Sequence, residues 1–536
     1  MSQPQVRAIR PLPAAVRPLV TAASLALLLS ALAIVLFTLL RSPLKDDIAW
    51  LLYVARRWLA GRELYVDVVE VNPPLIIWIS AIPIRVAGWL GVNPQFIAMP
   101  FFIGIVLSCA WWTATILRQS GGLFRDRIPV FAALGTVLLV VPAGDLGQRE
   151  HLLVAAVLPY LALFARSLDG ERPGRAIAIA AGVLAGLGCA LKPRYGAVFA
   201  VLECLALSRG MRTCRLKPLS AIAAFGGYGV LVAVVCPAYL QRAVPLALAL
   251  YGGTDVTFLH LLADSARLLF GEAVAAALLA WTWRRGMPER NLLLTLVLFA
   301  ATSTAICFID GKDWFYHRLP ATVATLLALV LWAGSALFHR TVPRRRAWAP
   351  LLLAGITGLV FLVGAFQRLE PEVAEAVEPQ DSTVARLERL IRTEHARTYI
   401  AFSEWIALGF PVVNNTGVVW TSRFDSMWAL KGELWRVRFD PAAAKEWPIR
   451  RWVVHDFMTG CPDLAVVDTR EGANWIGVLS EDPVFARAWS QYREIASFDG
   501  LEVYRHTVAG CINPWVAGGG ANVRGGLDHV GQPSGG

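Results

Sequence analysis

The stretch "RSPLKDDIAWLLYVARRWLAGRELYVDVVEVNPPLIIW", residues Arg41 to Trp78, poses the central question of this chain. It follows an apolar run of membrane length, from about Leu19 to Leu40, and carries two adjacent aspartates, Asp46 and Asp47, close to its start. Asp67 and Glu70 come next, just ahead of the Pro73-Pro74 pair. Four carboxylates beside a bilayer need a reason, because ionised groups there are costly unless paired or put to use.

The surrounding composition supplies the context. The 536 residues are 56% hydrophobic and 17% charged, with a mean hydropathy of +0.53, well outside the range of soluble globular proteins. Apolar runs of roughly 16 to 23 residues recur to about residue 366, long enough or nearly so to cross a hydrocarbon core of ~30 Å. The expected fold is an α-helical polytopic membrane protein of about eleven transmembrane helices with juxtamembrane helices and a small C-terminal α/β soluble domain. The spans are expected at 18–40, 96–117, 128–142, 151–166, 176–191, 196–208, 218–239, 264–282, 292–308, 319–338 and 348–366, the fifth and sixth being short. The first run is longer than a signal-peptide core and reads as a span. Residues 367–512, with strand-like runs "RTYIAF", "RWVVHDF" and "DLAVVDT", read as the soluble domain, and 513–536, rich in glycine, as a disordered tail.

The net charge of +11 and pI near 9.5 reflect topology rather than nucleic-acid binding, since the basic residues sit in short loops. Arg7, Arg10 and Arg17 place the N-terminus in the cytoplasm. The loops "RQSGGLFRDR", "RSLDGERPGR", "SRGMRTCRLKP", "RRGMPER" and "HRTVPRRR" go to the same side. That assignment requires the run from Pro74 to about Leu90 to be juxtamembrane or re-entrant, and it leaves the C-terminal domain outside. The outward loops then carry Asp46, Asp47, Asp67 and Glu70; Asp145, Arg149, Glu150 and His151; Lys192 and Arg194; Tyr251 and Asp255; and Asp310, Lys312, Asp313, Tyr316, His317 and Arg318. A transporter would more often hold its charges near the bilayer midplane, whereas the mid-span sequence here is nearly free of them.

The first loop resembles that of the GT-C class of integral membrane glycosyltransferases, particularly the protein mannosyltransferase and aminoarabinose transferase type. The matching residues are Asp46-Asp47, Tyr53, Gly61, Tyr65, Asp67, Glu70, Pro73, Pro74 and Trp78; "LKPRYG", "GKDWFYHRLP" and the terminal "YREIASFDGLEVYRH" are similar to further segments of such enzymes. The resemblance implies a sugar donor on a polyprenyl phosphate, an acceptor glycan, lipid or protein, membrane lipids as surroundings, and a bacterial cytoplasmic membrane with the active site and C-terminal domain on the periplasmic side. It implies inverting displacement, with a carboxylate taking the acceptor proton. By register Asp47 is the first choice of base and Asp46 its rival, adjacent positions that the sequence alone does not separate. Substrate binding is expected from Glu70, Asp67, Arg149, Glu150, His151, Lys192, Arg194, Lys312, Tyr316, His317 and Arg318, with Lys192, Arg194, Lys312 and Arg318 as candidates to meet the leaving phosphate.

Two departures stand out. The family's Glu-Lys-Pro-Pro reads Glu70-Val71-Asn72-Pro73-Pro74 here, so that lysine has no counterpart, and the second acid of the usual Asp-Glu pair is an aspartate or, in the shifted register, Ile48. Plainer readings compete: Asp46 and Asp47 as helix caps, Glu70 as a turn residue, residues 148–151 as an interfacial ion cluster, Trp314 and Tyr316 as belt aromatics, and His317 as an interfacial rather than catalytic residue. A divalent cation, Mg or Mn, suits carboxylates at a lipid phosphate, but no ligand spacing demands one, and the metal ligands are left unassigned. Cys109, Cys189, Cys204, Cys214, Cys236 and Cys307 lie in spans or at their ends as small hydrophobes. Cys461 and Cys511, both in turn-like flanks, are expected to pair in an oxidising compartment. No P-loop, dinucleotide fingerprint or zinc pattern is present. The alternative from another class is a transporter or flippase of an envelope lipid or glycan precursor; a third is a non-catalytic scaffold presenting the C-terminal domain.

Overall fold

The computed structural model describes residues 16–118, 126–211, 215–287, 289–338, 344–470 and 472–508. Cys511, the tail from 513 and most of the loop 118–127 lie outside the described residues. The chain divides into two compact units, Met1–Ala385 and Arg386–Gly536.

Fifteen helices of the first unit matter here: α1 (Val16–Arg41), α2 (Asp46–Leu59), α3 (Pro74–Leu90), α4 (Gln95–Leu117), α5 (Arg127–Val140), α6 (Arg149–Leu168), α7 (Arg175–Leu191), α8 (Gly196–Ser208), α9 (Leu216–Val235), α10 (Val244–Leu250), α11 (Phe258–Asp264), α12 (Ala266–Arg285), α13 (Arg290–Asp310), α14 (Phe315–Phe338) and α15 (Arg344–Val377). Among the described residues eight are long and apolar enough to cross a membrane: α1, α4, α6, α9, α12, α13, α14 and α15. The shorter α5, α7 and α8 coincide with the three remaining expected spans. This is a multi-pass α-helical membrane protein.

Helix α3 is 17 residues long, and side-chain contacts fix where it runs. The Gln95 amide that opens α4 donates to the Leu39 and Ser42 carbonyls at the end of α1, 2.6 and 3.0 Å away. The chain therefore leaves α3 at the same end of the bundle from which it departed after α1, so α3 does not cross. At the opposite end Asn291 joins Asp169 (2.6 Å) and Arg209 (3.2 Å), gathering three of the polar loops between helices. Basic loops and mixed acid-base loops thus occupy opposite ends of one bundle.

The packing follows from side-chain size. Gly182 and Gly186, one turn apart on α7, face α9 so closely that a Cβ on Gly182 would strike the Lys217 carbonyl and one on Gly186 the Ala221 carbonyl. Small residues at this spacing let two backbones touch where lipid offers no hydrophobic drive for association. Helices α6 and α14 are buried along most of their length, while α1 and α9 present Leu and Val side chains outward. The two core helices begin at the acid-base end, bringing Arg149 and Tyr316 close together.

Helix α15 runs eleven residues beyond the expected end at 366, straight through Pro371, to Val377. Buried Ala365, Leu369 and Ala376 keep one face of this extension against the bundle, which moves the unit boundary to 385/386.

In the second unit five strands, β1 (Thr398–Phe402), β2 (Val419–Trp420), β3 (Leu464–Asp468), β4 (Tyr492–Phe498) and β5 (Leu501–His506), form a sheet in the order β2-β1-β3-β5-β4. The first three are parallel, and β5 pairs antiparallel with β3 and β4. Asp499 and Gly500, at φ 52° and 72°, close the last hairpin in the left-handed pair of conformations that matches strand twist. One expected strand is a helix: "RWVVHDF" lies in Ile449–Gly460. Ile449, Val453 and Phe457, four residues apart, are its buried stripe, and buried Asp456 is held by the Arg423 guanidinium at 2.7 Å, so the run Val453-Val454 is two steps round a helix and not an alternating strand. Cys461 is disulfide-bonded, and its expected partner Cys511 lies outside the described residues.

Candidate active site

The adjacent aspartates point to different tasks. Asp46 is the first residue of α2; its carboxylate accepts the Asp47 backbone N–H at 2.8 Å and lies 3.5 Å from Lys45 Nζ. It therefore does what an acid at a helix start commonly does. Asp47, one step of 100° around the helix, turns toward α6 and accepts a 3.0 Å hydrogen bond from the Gln148 amide. Burial pushes the Asp47 carboxyl up to about 6, the Asp46 charge adds to the rise, and Arg149, Lys45 and the Gln148 bond oppose it. A carboxylate so placed is ionised at neutral pH and still basic enough to take a proton.

The loop behind α2 is built around Glu70. This buried carboxylate accepts the Val71 and Asn72 backbone N–H groups, both at 2.7 Å, and the Trp50 indole N–H. Tyr65 sits at φ 66° and donates to the Asn72 carbonyl at 2.6 Å, while Asp67 accepts the Glu63 N–H at 2.9 Å. Asp67 is thereby spent on its own turn. Glu70 ties the loop to α2 and also contributes negative potential at Arg149.

The turn into α6 depends on Gly147, whose φ of 98° and whose approach to the Phe102 ring exclude a side chain: a Cβ there would lie 2.8 Å from a ring carbon. Past this turn come Gln148, Arg149 and Glu150. Arg149 is 4% exposed and, among the described residues, its guanidinium has no hydrogen-bond or ion-pair partner; it lies 6.0 Å over the Tyr316 ring in the field of Glu150, Asp47 and Glu70. Glu150, 1% exposed, pairs with Lys192 at 2.7 Å, a contact between the starts of α6 and the end of α7. Burial lowers the Lys192 ammonium pKa, against the pull of Glu150. His151 turns away: Nδ1 accepts the Gly147 N–H at 3.1 Å, which leaves the proton on Nε2 to donate to the Leu138 carbonyl at 2.8 Å. Both ring nitrogens serve the backbone, so the structure places His151 outside the group around Arg149.

Helix α14 closes the remaining side. Tyr316 is buried beside Arg149, and His317 Nδ1 meets Asp310 at 3.2 Å, with Nε2 unpartnered among the described residues. Asp310 also pairs with Arg194. Lys312 and Arg318 belong to a neighbouring patch: Lys312 donates to the Tyr251 carbonyl at 2.6 Å and pairs with Asp255, and Arg318 donates to the Asp313 carbonyl at 2.7 Å and lies 3.6 Å from Asp264. His260, Asp264 and Asp313 bring an imidazole and two carboxylates within 4.8 Å of one another there, away from Asp47.

Four polar residues join the site that were not among the expected catalytic or binding residues, and of these only Asp145 was noted from sequence, among the outward charges. Lys45, whose pKa is raised by Asp46 first and then by Asp145 and Asp47, is a cation between three carboxylates. Asp145 is buried and pushed up to about 7, by burial first and by its acidic neighbours, with Lys45 opposing. Arg368 and Glu372 reach in from the extension of α15. The signal for the last two was an i,i+4 pair on a helix continuing through Pro371.

No protein-family model and no curated protein matches the sequence. Solved structures do match. ArnT from Cupriavidus metallidurans bound to undecaprenyl phosphate is similar at a TM-score of 0.53 and 14% identity, over 92% of this chain and 99% of that one. The apo state of the same ArnT is similar at 0.53 and 12% identity, over 91% and 98%. The fold is that of ArnT. The helical membrane bundle followed by a small C-terminal sheet, expected from the sequence, is therefore the architecture observed. At this identity the ArnT likeness concerns architecture, and the work of individual side chains rests on the contacts described above.

Proposed function

We propose that this protein is a polyprenyl-phosphate-sugar-dependent glycosyltransferase of the bacterial cytoplasmic membrane, acting on a glycan, lipid or protein acceptor at the outer face. The observation that carries the reading is Arg149, a buried guanidinium with no acceptor of its own among the described residues, set at the start of a core helix beside a carboxylate of raised pKa. The surrounding carboxylates balance its charge at a distance but accept none of its N–H donors, and an anionic phosphate seated at this helix N-terminus would take them. The ArnT of similar fold was solved with undecaprenyl phosphate, which suits such a seat.

In the proposed reaction the acceptor oxygen forms a bond to the anomeric carbon while its proton passes to Asp47. The bond from that carbon to the phosphate oxygen breaks on the opposite side, and the lipid phosphate leaves with the electron pair. Arg149 meets the charge that grows on it, with Lys192 held nearby by Glu150. Glu70, Tyr316 and His317 shape the walls, and Arg194, Lys312 and Arg318 supply positive potential at the rim. A divalent cation would find its donors at His260, Asp264 and Asp313, where the imidazole favours a transition metal over Mg2+. The segregation of basic loops to the end opposite Asp47 supports the outward placement.

The test is incubation of the purified protein in nanodiscs with candidate undecaprenyl-phosphate sugars and envelope glycans, scoring sugar transfer by mass spectrometry. Transfer with release of undecaprenyl phosphate is expected. Lipid movement across the bilayer without any transfer would replace this reading by the transporter.

A further inference from the structure

Helix α15 enters the acid-base end of the bundle with two polar side chains one turn apart. Arg368 Nη2 donates to the Val141 carbonyl, where α5 ends, at 3.1 Å, and the same guanidinium lies 3.6 Å from the centre of the Phe315 ring, where α14 begins. A single side chain thereby joins the segment leading into Gln148-Arg149 to the segment carrying Tyr316-His317. Glu372, one turn on, rests its carboxylate over Gly144 so closely that a Cβ on Gly144 would collide with it. At these anchors the chain makes a 3-10 turn, Ala143–Asp145, which contains Gly144 and has Ala143 in the left-handed region at φ 51°, and Gly147 follows at φ 98°. Glycine suits its position, but Ala143 is a residue type that disfavours the left-handed region, so neighbouring contacts must hold it there.

We infer that Arg368 and Glu372 are positioning residues: the end of α15 clamps the turn at 141–147 and so sets where Gln148 and Arg149 stand relative to Asp47. The inference rests on the glycosyltransferase reading for its catalytic consequence and on contacts alone for the clamp. Neither side chain touches the reacting atoms. Arg368 acts through the Val141 carbonyl and the Phe315 ring, and Glu372 through Gly144. Loss of the clamp leaves Asp47 and Arg149 in place chemically and shifts their separation, and a misplacement of about 1 Å near the reacting groups costs roughly 100-fold in rate.

The experiment uses the full-length protein in nanodiscs with two readouts, hydrogen-deuterium exchange of backbone amides across 141–148 and kcat for transfer from an undecaprenyl-phosphate sugar. Arg368→Met keeps the apolar stem and removes the donors; Arg368→Lys keeps one donor and the charge; Gly144→Ala dislodges Glu372 without touching Arg368. Arg368→Met and Gly144→Ala are expected to exchange faster across 141–148 and to lose roughly 100-fold in kcat, with Arg368→Lys recovering to within about tenfold of wild type. Wild-type exchange, or faster exchange with wild-type kcat, in both variants would overturn the inference. Should Arg368→Met not fold, Gly144→Ala alone decides it. A wild-type protein that transfers no sugar would instead sink the glycosyltransferase reading, and the exchange readout would still decide whether the clamp exists.

Discussion

Arg149 offers the most demanding perturbation, because its removal should be felt by two measurements at once. In Arg149→Met a side chain of similar length fills the space and the guanidinium is gone. A phosphate seated there loses a buried, charge-assisted partner, a loss of about 3 kcal/mol, or roughly 150-fold in affinity for undecaprenyl phosphate. The second effect comes through Asp47. Arg149 is the largest of the influences holding the Asp47 carboxyl down against burial and Asp46, so in its absence the acidic limb of the pH profile, expected near 6 in the wild type, moves to higher pH. The sign follows from the ionised form being the base: activity rises as pH rises through the Asp47 pKa, and losing a nearby cation raises that pKa. Arg149→Lys keeps the charge but not the planar fork, so about a tenfold loss in affinity and a smaller displacement of the limb are expected. Lipid binding would be followed by thermophoresis in detergent and kcat/KM from pH 5 to 8 by product mass spectrometry. Affinity within twofold of wild type together with an unmoved limb would refute both the phosphate seat and the coupling to Asp47.

Asp47→Asn should abolish transfer while undecaprenyl phosphate still binds, and Asp46→Asn should cost far less, since Asp46 is engaged by the Asp47 N–H and Lys45 at the start of its helix; comparable kcat values for the two variants would contradict the division of labour. Asp145 carries a stability prediction. Its pKa is raised in the folded state, so its contribution is intact below about pH 4 and is lost as pH rises toward 7, a penalty on the order of 4 kcal/mol at pH 8. Asp145→Asn should therefore raise the melting temperature at pH 8 and leave it nearly unchanged at pH 4, and the opposite ranking would show the carboxylate to be stabilised where it lies. A reporter fused after residue 385, beyond α15, should be active only outside the cytoplasm; signal from the cytoplasm would invert the whole topology. Peptides from non-reduced protein taken from intact cells should contain Cys461 in a disulfide with Cys511, and alkylatable thiols at both positions would argue against an oxidising location for that unit.

Hydropathy alone determined the membrane bundle. A helix that crosses lipid must be apolar over a set length, so the constraint is local and each of the eleven expected spans coincides with a helix. Charge in short loops is local information as well, and the non-crossing Pro74–Leu90 that it led to agrees with the Gln95 contacts at the end of α1. What the sequence left open depended on direction or on distance along the chain. Asp46 and Asp47 are equivalent as letters and lie 100° apart on α2, so only the placing of Gln148 beside that helix separates a carboxylate held by Lys45 and the helix start from one facing Gln148. His151 looks like a site residue in one dimension, yet the turn at Gly147 directs both its nitrogens to the backbone. Glu150 and Lys192 are 42 positions apart and meet only because α6 and α7 pack side by side, so the pairing that leaves Arg149 without a hydrogen-bond partner among the described residues is invisible before folding. Arg368 and Glu372 fall in the soluble domain as read from sequence, because the apolar run ends at about 366, and the buried face that carries α15 on to Val377 exists only against the assembled bundle.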